Sequence, residues 1–547
     1  MRAAFLALGA VALLGCKDFR ASGAVPDGGA GGTGGAGGTG GAGGADGGGG
    51  GGGSGALSLA AQPGSSTDFG TVLDLSAKDE TFVLANGGQQ ATTPITIDAL
   101  AGGFTALAPS GLDCTSGVTT LAPGGSCTIR VELTPTAPGR TTATLTAHAG
   151  TGGTASLSLQ GTGQQATAVA IAVGHDGGHV CAIVGDKTLR CWGSNSGDQL
   201  GNNVSIGSVV PVVVKAATGQ PLSDIAGVAA GSEHTCAFGS SGSLDCWGNN
   251  ISGQLGASVA TMTVIPMTVN GSTGTPLAVM NSLAAGKSFS CALTSTGSVS
   301  CWGDNTSGQI GPSNPGMSFV PVTIVNSMGT PFTGVADLAA GSRHVCARMA
   351  DATLRCWGDN SGGELGNGGT TPSPTPVAVA SAGMALSGVL SVTAGDDFSC
   401  AVLQGGTASC WGANGSGQLG NNAKTSAATP APGAVLSSSG TQLTGVTAVA
   451  AGATHACALL ASGQVSCWGS NTYGELGNNS TNPSLTPVAV MTASGPLTGA
   501  TALALGPEFS CALVQGGGVS CWGNNSSSQL AQRSSTYSPV AVPVTFP

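Results

Sequence analysis

Apolar residues in this chain come in short runs that alternate with polar residues or are rich in β-formers, and clusters of turn residues separate them. Between residues 56 and 163 the runs are Leu57–Ala61, Thr81–Leu84, Pro94–Leu100, Cys127–Leu133, Thr141–His148 and Ala155–Leu159. Runs of this size and spacing predict an all-β sandwich. From about Ala166 to Pro547 the pattern becomes a repeat. Each unit offers a small apolar strand ending in glycine, such as Val228-Ala229-Ala230-Gly231. A second strand runs through Cys-Ala, as in Cys291-Ala292-Leu293, and a third ends in Cys-Trp-Gly. The fourth is a Pro-led run such as Pro211-Val212-Val213-Val214.

The repeat is tight. Cys-Trp-Gly begins at Cys191, Cys246, Cys301, Cys356, Cys410, Cys467 and Cys521, and copies are 54 to 57 residues apart. Ten positions before each lies another cysteine: Cys181, Cys236, Cys291, Cys346, Cys400, Cys457 and Cys511. All seven tryptophans sit in these tripeptides. Trp192, Trp247, Trp302, Trp357, Trp411 and Trp468 each precede a proline by 19 residues; Trp522, in the last unit, does not. A fixed period of this length marks stacked or radially arranged units. Four short strands per unit and seven units predict a seven-bladed β-propeller over residues 166–547. Whether units and blades coincide, or are offset so that the termini share a blade, stays open at this level.

The stretches Gly231-Ser232-Glu233-His234-Thr235-Cys236-Ala237, Cys246-Trp247-Gly248 through Gly256, and Gly452 to Gly477 closely resemble the regulator-of-chromosome-condensation repeat. That resemblance implies a seven-bladed propeller. Its precedents are exchange-factor activity on a small GTPase, which an exported acidic protein is not expected to share, and a bacterial inhibitor that caps β-lactamase with a propeller face. The last unit departs from the pattern, with Ser528 and Ala531 at expected glycines. Ahead of the repeats, Leu121-Ala122-Pro123-Gly124-Gly125-Ser126-Cys127-Thr128-Ile129, Thr134-Pro135, Ser158 to Gly163 and Asp68-Phe69-Gly70 resemble an immunoglobulin-like domain of the Hydin type found beside bacterial surface anchors. The resemblance implies a disulfide between Cys114 and Cys127. The expected fold is therefore all-β: an immunoglobulin-like sandwich (56–163) followed by the propeller.

The N-terminus carries an address. Arg2 and the apolar run Ala3 to Leu14, too short to span a bilayer, read as a signal peptide over residues 1–15. Leu13-Leu14-Gly15-Cys16 resembles a bacterial lipobox, which implies lipidation of Cys16 and attachment through acyl chains. Lys17, where an aspartate would favour the inner membrane, leans towards the outer membrane or cell surface. Residues 16–55 are Gly-rich and include the run Gly47 to Gly53, so they are expected to be a flexible tether with a reach of roughly 30–35 Å. Setting Cys16 aside leaves sixteen of the 17 cysteines, an even number suited to an oxidising compartment.

Composition narrows the partners. Only 7% of residues are charged and the net charge is -10. No Lys/Arg cluster supplies the basic patch of a nucleic-acid binder, so nucleic acid is not expected. The Cys-x9-Cys spacing suits facing positions on a β-hairpin, and Gly242, Gly297, Gly406, Gly463 and Gly517 stand where a three-residue loop wants a left-handed residue. Seven intra-blade disulfides are expected, each contributing about 2–3 kcal/mol; buried reduced thiols are the alternative. No unit offers four ligands for zinc. His179, His234, His344 and His455 share their position with Phe289, Phe398 and Phe509 in other units, which predicts a buried ring rather than an acid, base or ligand. The Asn-rich turns, such as Asp304 to Gln309 and Asp359 to Glu364, are mostly neutral and read as Asx turns in preference to calcium loops.

No Gly-x-Ser-x-Gly elbow, phosphate loop or His-Glu-x-x-His stretch appears. Neither cofactor nor metal is expected, and no catalytic residue is assigned. The expected function is a membrane-anchored platform that binds a protein or glycan through propeller loops. The alternative is a surface polysaccharide hydrolase or lyase with acids gathered at the channel mouth.

Overall fold

The computed structural model describes residues 57–546 apart from 74–76, 136–137, 151–152, 175–176, 259–260, 272–273, 278–279, 313–315, 382 and 534. The expected signal peptide, Cys16 and the tether lie outside the described residues. The chain divides into two compact units between Gln165 and Ala166.

The first unit is a two-sheet sandwich. Its strands are β1 (Leu57–Ala61), β2 (Asp68–Leu73), β3 (Lys78–Asn86), β4 (Thr96–Ile97), β5 (Phe104–Ala106), β6 (Ser126–Leu133), β7 (Gly139–Ala149) and β8 (Gly153–Gln164). One sheet is ordered β1-β3-β6-β5 and the other β2-β8-β7-β4, with β2 and β8 parallel. Alternation in β3 and β6 turns Phe82, Leu84, Ile129, Val131 and Leu133 inward, where Phe69 meets Phe104 edge to face at 5.2 Å. The run Pro94–Leu100 shrinks to the two residues of β4. Ile95 N–H goes instead to the Thr119 carbonyl, and the chain turns away at Gly102 and Gly103, both at positive φ. Cys114 and Cys127 are bonded, S–S 2.01 Å, which ties the loop ahead of β6 to that strand.

Among the described residues, the second unit contains seven four-stranded antiparallel sheets. The first blade runs Ala168–Val173, His179–Val184, Leu189–Gly193 and Ser208–Val213 from inner to outer strand, and the seventh runs Ala500–Leu505, Phe509–Val514, Gly518–Asn524 and Tyr537–Val544. Units and blades therefore coincide, and among the described residues each blade takes its four strands from one unit. The seven inner strands touch their neighbours in a closed ring, the last against the first. Their small residues, Ala229-Ala230, Ala284-Ala285 and Ala339-Ala340 among them, let them converge on a channel of about 110 Å³.

The outer strands differ from expectation in one respect. The proline does not lead the strand but lies inside it, as Pro211 does in Ser208–Val213 and Pro376 in Ser373–Ala378. An outermost strand is paired on one side only, so a residue without an N–H is tolerated there and blunts the edge against further pairing.

Candidate binding face at one mouth of the propeller

The paired cysteines stand opposite one another in every blade, Cys236 against Cys246 and Cys291 against Cys301 for example. Their Cα atoms are 4.0–4.1 Å apart, the narrow class of antiparallel pair, and all seven pairs are bonded. The hairpin glycines have positive φ, +86° at Gly242. The two units without glycine keep the geometry, with Lys187 at +64° and Ala352 at +63°. Ser528 and Ala531, the glycine replacements in the last unit, are likewise left-handed at +66° and +56°.

The tryptophans fasten blades to each other. Each is fully buried and belongs to the apolar core of the preceding blade: Trp247 packs with Cys181, Leu189, Leu200 and Val214 of the first blade. Each indole N–H donates to a backbone carbonyl of that blade. The pairs are Trp247 with Gln199, Trp302 with Gln254, Trp357 with Gln309, Trp411 with Glu364, Trp468 with Gln418 and Trp522 with Glu475, at 2.8–3.0 Å. Trp192 closes the ring on the Gln529 carbonyl at 3.0 Å.

A second bond explains the alternation of histidine and phenylalanine. His234 Nε2 lies 2.9 Å from Ser290 Oγ of the next blade, and that hydroxyl donates to the Gln254 carbonyl at 2.9 Å. Its single proton is thus committed, so His234 must donate through Nε2–H. His179 meets Thr235, His344 meets Ser399 and His455 meets Ser510 in the same way, at 2.8–2.9 Å. Where the ring is Phe289, Phe398 or Phe509, the facing residue of the next blade is Val345, Ala456 or Val180. Each ring also packs against the inner-strand glycine of its own blade. A Cβ at Gly231 would stand 2.1 Å from His234, and one at Gly286 2.1 Å from Phe289. Burial holds three of these imidazoles neutral: it pushes His179 and His455 down to about 3 and His234 to about 4.

These fasteners support one face. The loop after each inner-strand glycine carries the turn after Trp-Gly by a backbone bond: Asn249 N–H to Glu233, Asp304 to Ser288, Asp359 to Arg343, Ala413 to Asp397, Ser470 to Thr454 and Asn524 to Glu508, at 2.8–3.0 Å. Side chains of the turns bond back on their own loops. The Asn250 side-chain oxygen accepts from Leu255 N–H and that of Gln254 from Ser252 N–H, both at 2.9 Å. Loop chemistry varies around the ring: Ser232-Glu233, Lys287-Ser288, Ser342-Arg343, Asp396-Asp397, Ala453-Thr454 and Pro507-Glu508. Lys287, Asp304, Arg343, Asp396 and Asp397 line one polar pocket at this mouth. Arg343 pairs with Asp359 at 3.0 Å.

Sequence reasoning expected function in the loops that differ between copies but did not select Lys287 or Arg343. It also missed Thr235, Ser290, Ser399 and Ser510. Their signal was present: the residue after each ring position, read one unit ahead, is a hydroxyl after histidine and aliphatic after phenylalanine.

Known proteins share this architecture. The RCC1-like domain family matches residues 188–546, and the HYDIN/CFA65/VesB-like Ig-like domain matches residues 64–162. The E3 ubiquitin-protein ligase HERC2 of Homo sapiens is 26% identical over 57% of this chain, which spans only 6% of the ligase's own length. The ultraviolet-B receptor UVR8 of Arabidopsis thaliana is 27% identical over 64% of this chain and 76% of its own. The crystal structure of Kap60 bound to yeast RCC1 (Prp20) is similar in fold, with TM-score 0.55, 20% identity, and coverage of 65% of this chain and 83% of that one. The family match covers more than half of the sequence and runs from the third strand of the first blade through the seventh: this chain belongs to the RCC1-like domain family.

Proposed function

We propose that the protein is exported, anchored through a lipid on Cys16, and binds a partner protein or glycan at the propeller mouth without catalysing a reaction. The carrying observation is the contrast between constant fasteners and variable loops. Cysteine, tryptophan and inner-strand glycine recur in all seven blades, while the loops above them change from Lys287 and Arg343 to Asp396-Asp397 and Ala453-Thr454. A rigid frame carrying diverse loops suits recognition. The solved complex of Prp20 with Kap60 gives a family precedent for protein binding.

Crosslinking on intact source cells, with identification of the captured partner, tests the reading. Capture is expected to fall at least tenfold in Lys287→Ala/Arg343→Ala and to be unchanged in a variant of the opposite face, Ser241→Ala. Equal capture by all three, or no labelling from outside the cell, would refute it. For the anchor, a labelled fatty acid is expected to enter the wild type but not Cys16→Ser.

One observation favours a second reading, cleavage of a surface polysaccharide: Asp359, Glu364, Asp396 and Asp397 gather on the side of blades four and five. Against it, Glu364 is fully buried and bonded within its own turn, at a position that is glutamine in five of the seven copies. Polysaccharide shortening that is lost in Asp397→Asn would reverse this preference.

A further inference from the structure

The turn after Trp-Gly has one position whose side chain folds back on its own loop. It is Gln199, Gln254, Gln309, Gln418 and Gln529 in five blades, and Glu364 and Glu475 in the other two. In all three examples that matter here, one oxygen of this side chain accepts the N–H two residues earlier: Ser307 to Gln309, Gly362 to Glu364 and Tyr473 to Glu475, at 2.8–2.9 Å. What the other atom meets differs. In the third blade Gln309 Nε2 donates to Asp304 Oδ2 at 2.7 Å. In the sixth, Glu475 Oε1 accepts from Ser470 Oγ at 2.8 Å and from Thr472 N–H at 3.2 Å. Donor and acceptor match in both.

The fourth blade breaks the match. Asp359 stands at the Asp304 position and Glu364 at the Gln309 position, so two acids share a site built for an amide and an acid. Glu364 Oε1 is buried and meets no hydrogen-bond partner among the described residues. The charged groups around it are mostly of its own sign. Asp359 faces it from its own turn, with Oδ2 already engaged by Arg343 at 3.0 Å. Asp397 faces it from the fifth blade, with Asp396 beside it in the mouth pocket. On the fifth-blade side, Ser399 and Trp411 reach Glu364 through its backbone carbonyl and not its carboxyl.

We propose that Glu364 is a proton-binding site: it keeps its proton in the folded ring and takes toward Asp359 the donor role that Gln309 has toward Asp304, which makes the loop layer over blades four and five responsive to pH. When the proton leaves, the Glu364 carboxylate repels that of Asp359, the partner of Arg343, which lines the mouth pocket. Burial first, then the charges of Asp359 and Asp397, raises the Glu364 carboxyl from 4.5 to about 7. A raised group stabilises the fold fully below its unfolded value, and that stabilisation is lost as pH climbs through the folded value. The window is therefore pH 4.5 to 7.

The test uses the full chain with its disulfides intact. Wild type, Glu364→Gln and Asp359→Asn are compared from pH 4.5 to 9 by thermal unfolding and by hydrogen exchange of the segment 358–366. Glutamine supplies the missing donor without titrating. The Glu364→Gln advantage in protection over wild type is expected to grow by up to tenfold per pH unit between 4.5 and 7, then to level off. Asp359→Asn removes the competing acid and is expected to shrink the wild-type dependence in the same window. A merely structural exchange would shift Glu364→Gln equally at every pH. A pH-independent difference in both variants, in both measurements, would overturn the proposal. If Glu364→Gln fails to fold, Asp359→Asn decides alone.

Discussion

The junction between the second and third blades can be taken apart one group at a time. Ser290→Ala removes the acceptor of His234 Nε2–H and the donor to the Gln254 carbonyl, two contacts of 2.9 Å in a buried site. The stranded imidazole N–H costs about 1–3 kcal/mol and the lost hydroxyl bond about 1 more. The carbonyl itself keeps Trp302. Ser290→Ala should therefore destabilise by about 2–4 kcal/mol. His234→Phe is milder, about 0.5–1.5 kcal/mol, because Ser290 keeps its bond to Gln254 and a phenyl ring already occupies the equivalent place in the next blade as Phe289. The double variant recreates the junction seen at Phe398 and Ala456. It should cost less than the sum of the singles, by about 1–2 kcal/mol of coupling. Denaturant unfolding under oxidising conditions at pH 7.5, followed by tryptophan fluorescence, measures all three. If the two losses simply add, within about 0.3–0.5 kcal/mol, the reading of histidine and hydroxyl as one unit fails.

Three further outcomes are expected. His179, His234 and His455 are depressed by burial, so their stabilisation is present above pH 6.5 and is lost as pH falls towards 4; at pH 5 each costs about 2 kcal/mol, and His455→Phe should lose part of the acid sensitivity, as unfolding midpoints against pH will show. Lys187→Gly and Ala352→Gly should each raise stability by about 0.5–1 kcal/mol, since a side chain at φ near +64° is disfavoured; a fall in unfolding midpoint would contradict the local geometry. Phe546→Ala removes a ring set edge to face on Trp192 at 5.8 Å and should cost about 3–5 kcal/mol, with limited proteolysis reporting an opened seam between blades seven and one.

Much of the frame was readable because it repeats. The fixed distance from Cys to Cys and from Trp to Pro places strands, hairpins and disulfides without any knowledge of packing. The direction of the fastening was not readable in that way. A tryptophan that serves its neighbour's core looks, in sequence, like one that serves its own; Trp247 declares itself only through Leu189 and Val214 of the first blade. The alternation of His234 and Phe289 was correctly read as a buried ring, yet its reason lies one unit ahead, at Ser290 and Val345. The outer strands began earlier than their prolines suggested, because an edge needs fewer N–H donors than an interior strand does. Glu364 stood in plain view as an acid in a row of glutamines, and only the geometry of Asp304 and Gln309 gave that exchange a chemical meaning.

Because every blade is built from four consecutive strands, the ring has no privileged beginning. The junction that holds blade one to blade seven uses the same indole-to-carbonyl bond as the other six. Chain entry at Ala168 is therefore an accident of connectivity, and a gene permuted at any of the six outer-to-inner links, with its old ends joined, encodes the same set of sheets. The same economy lets whole units be copied or exchanged as modules, provided that a histidine travels with a hydroxyl downstream and a phenylalanine with an aliphatic residue.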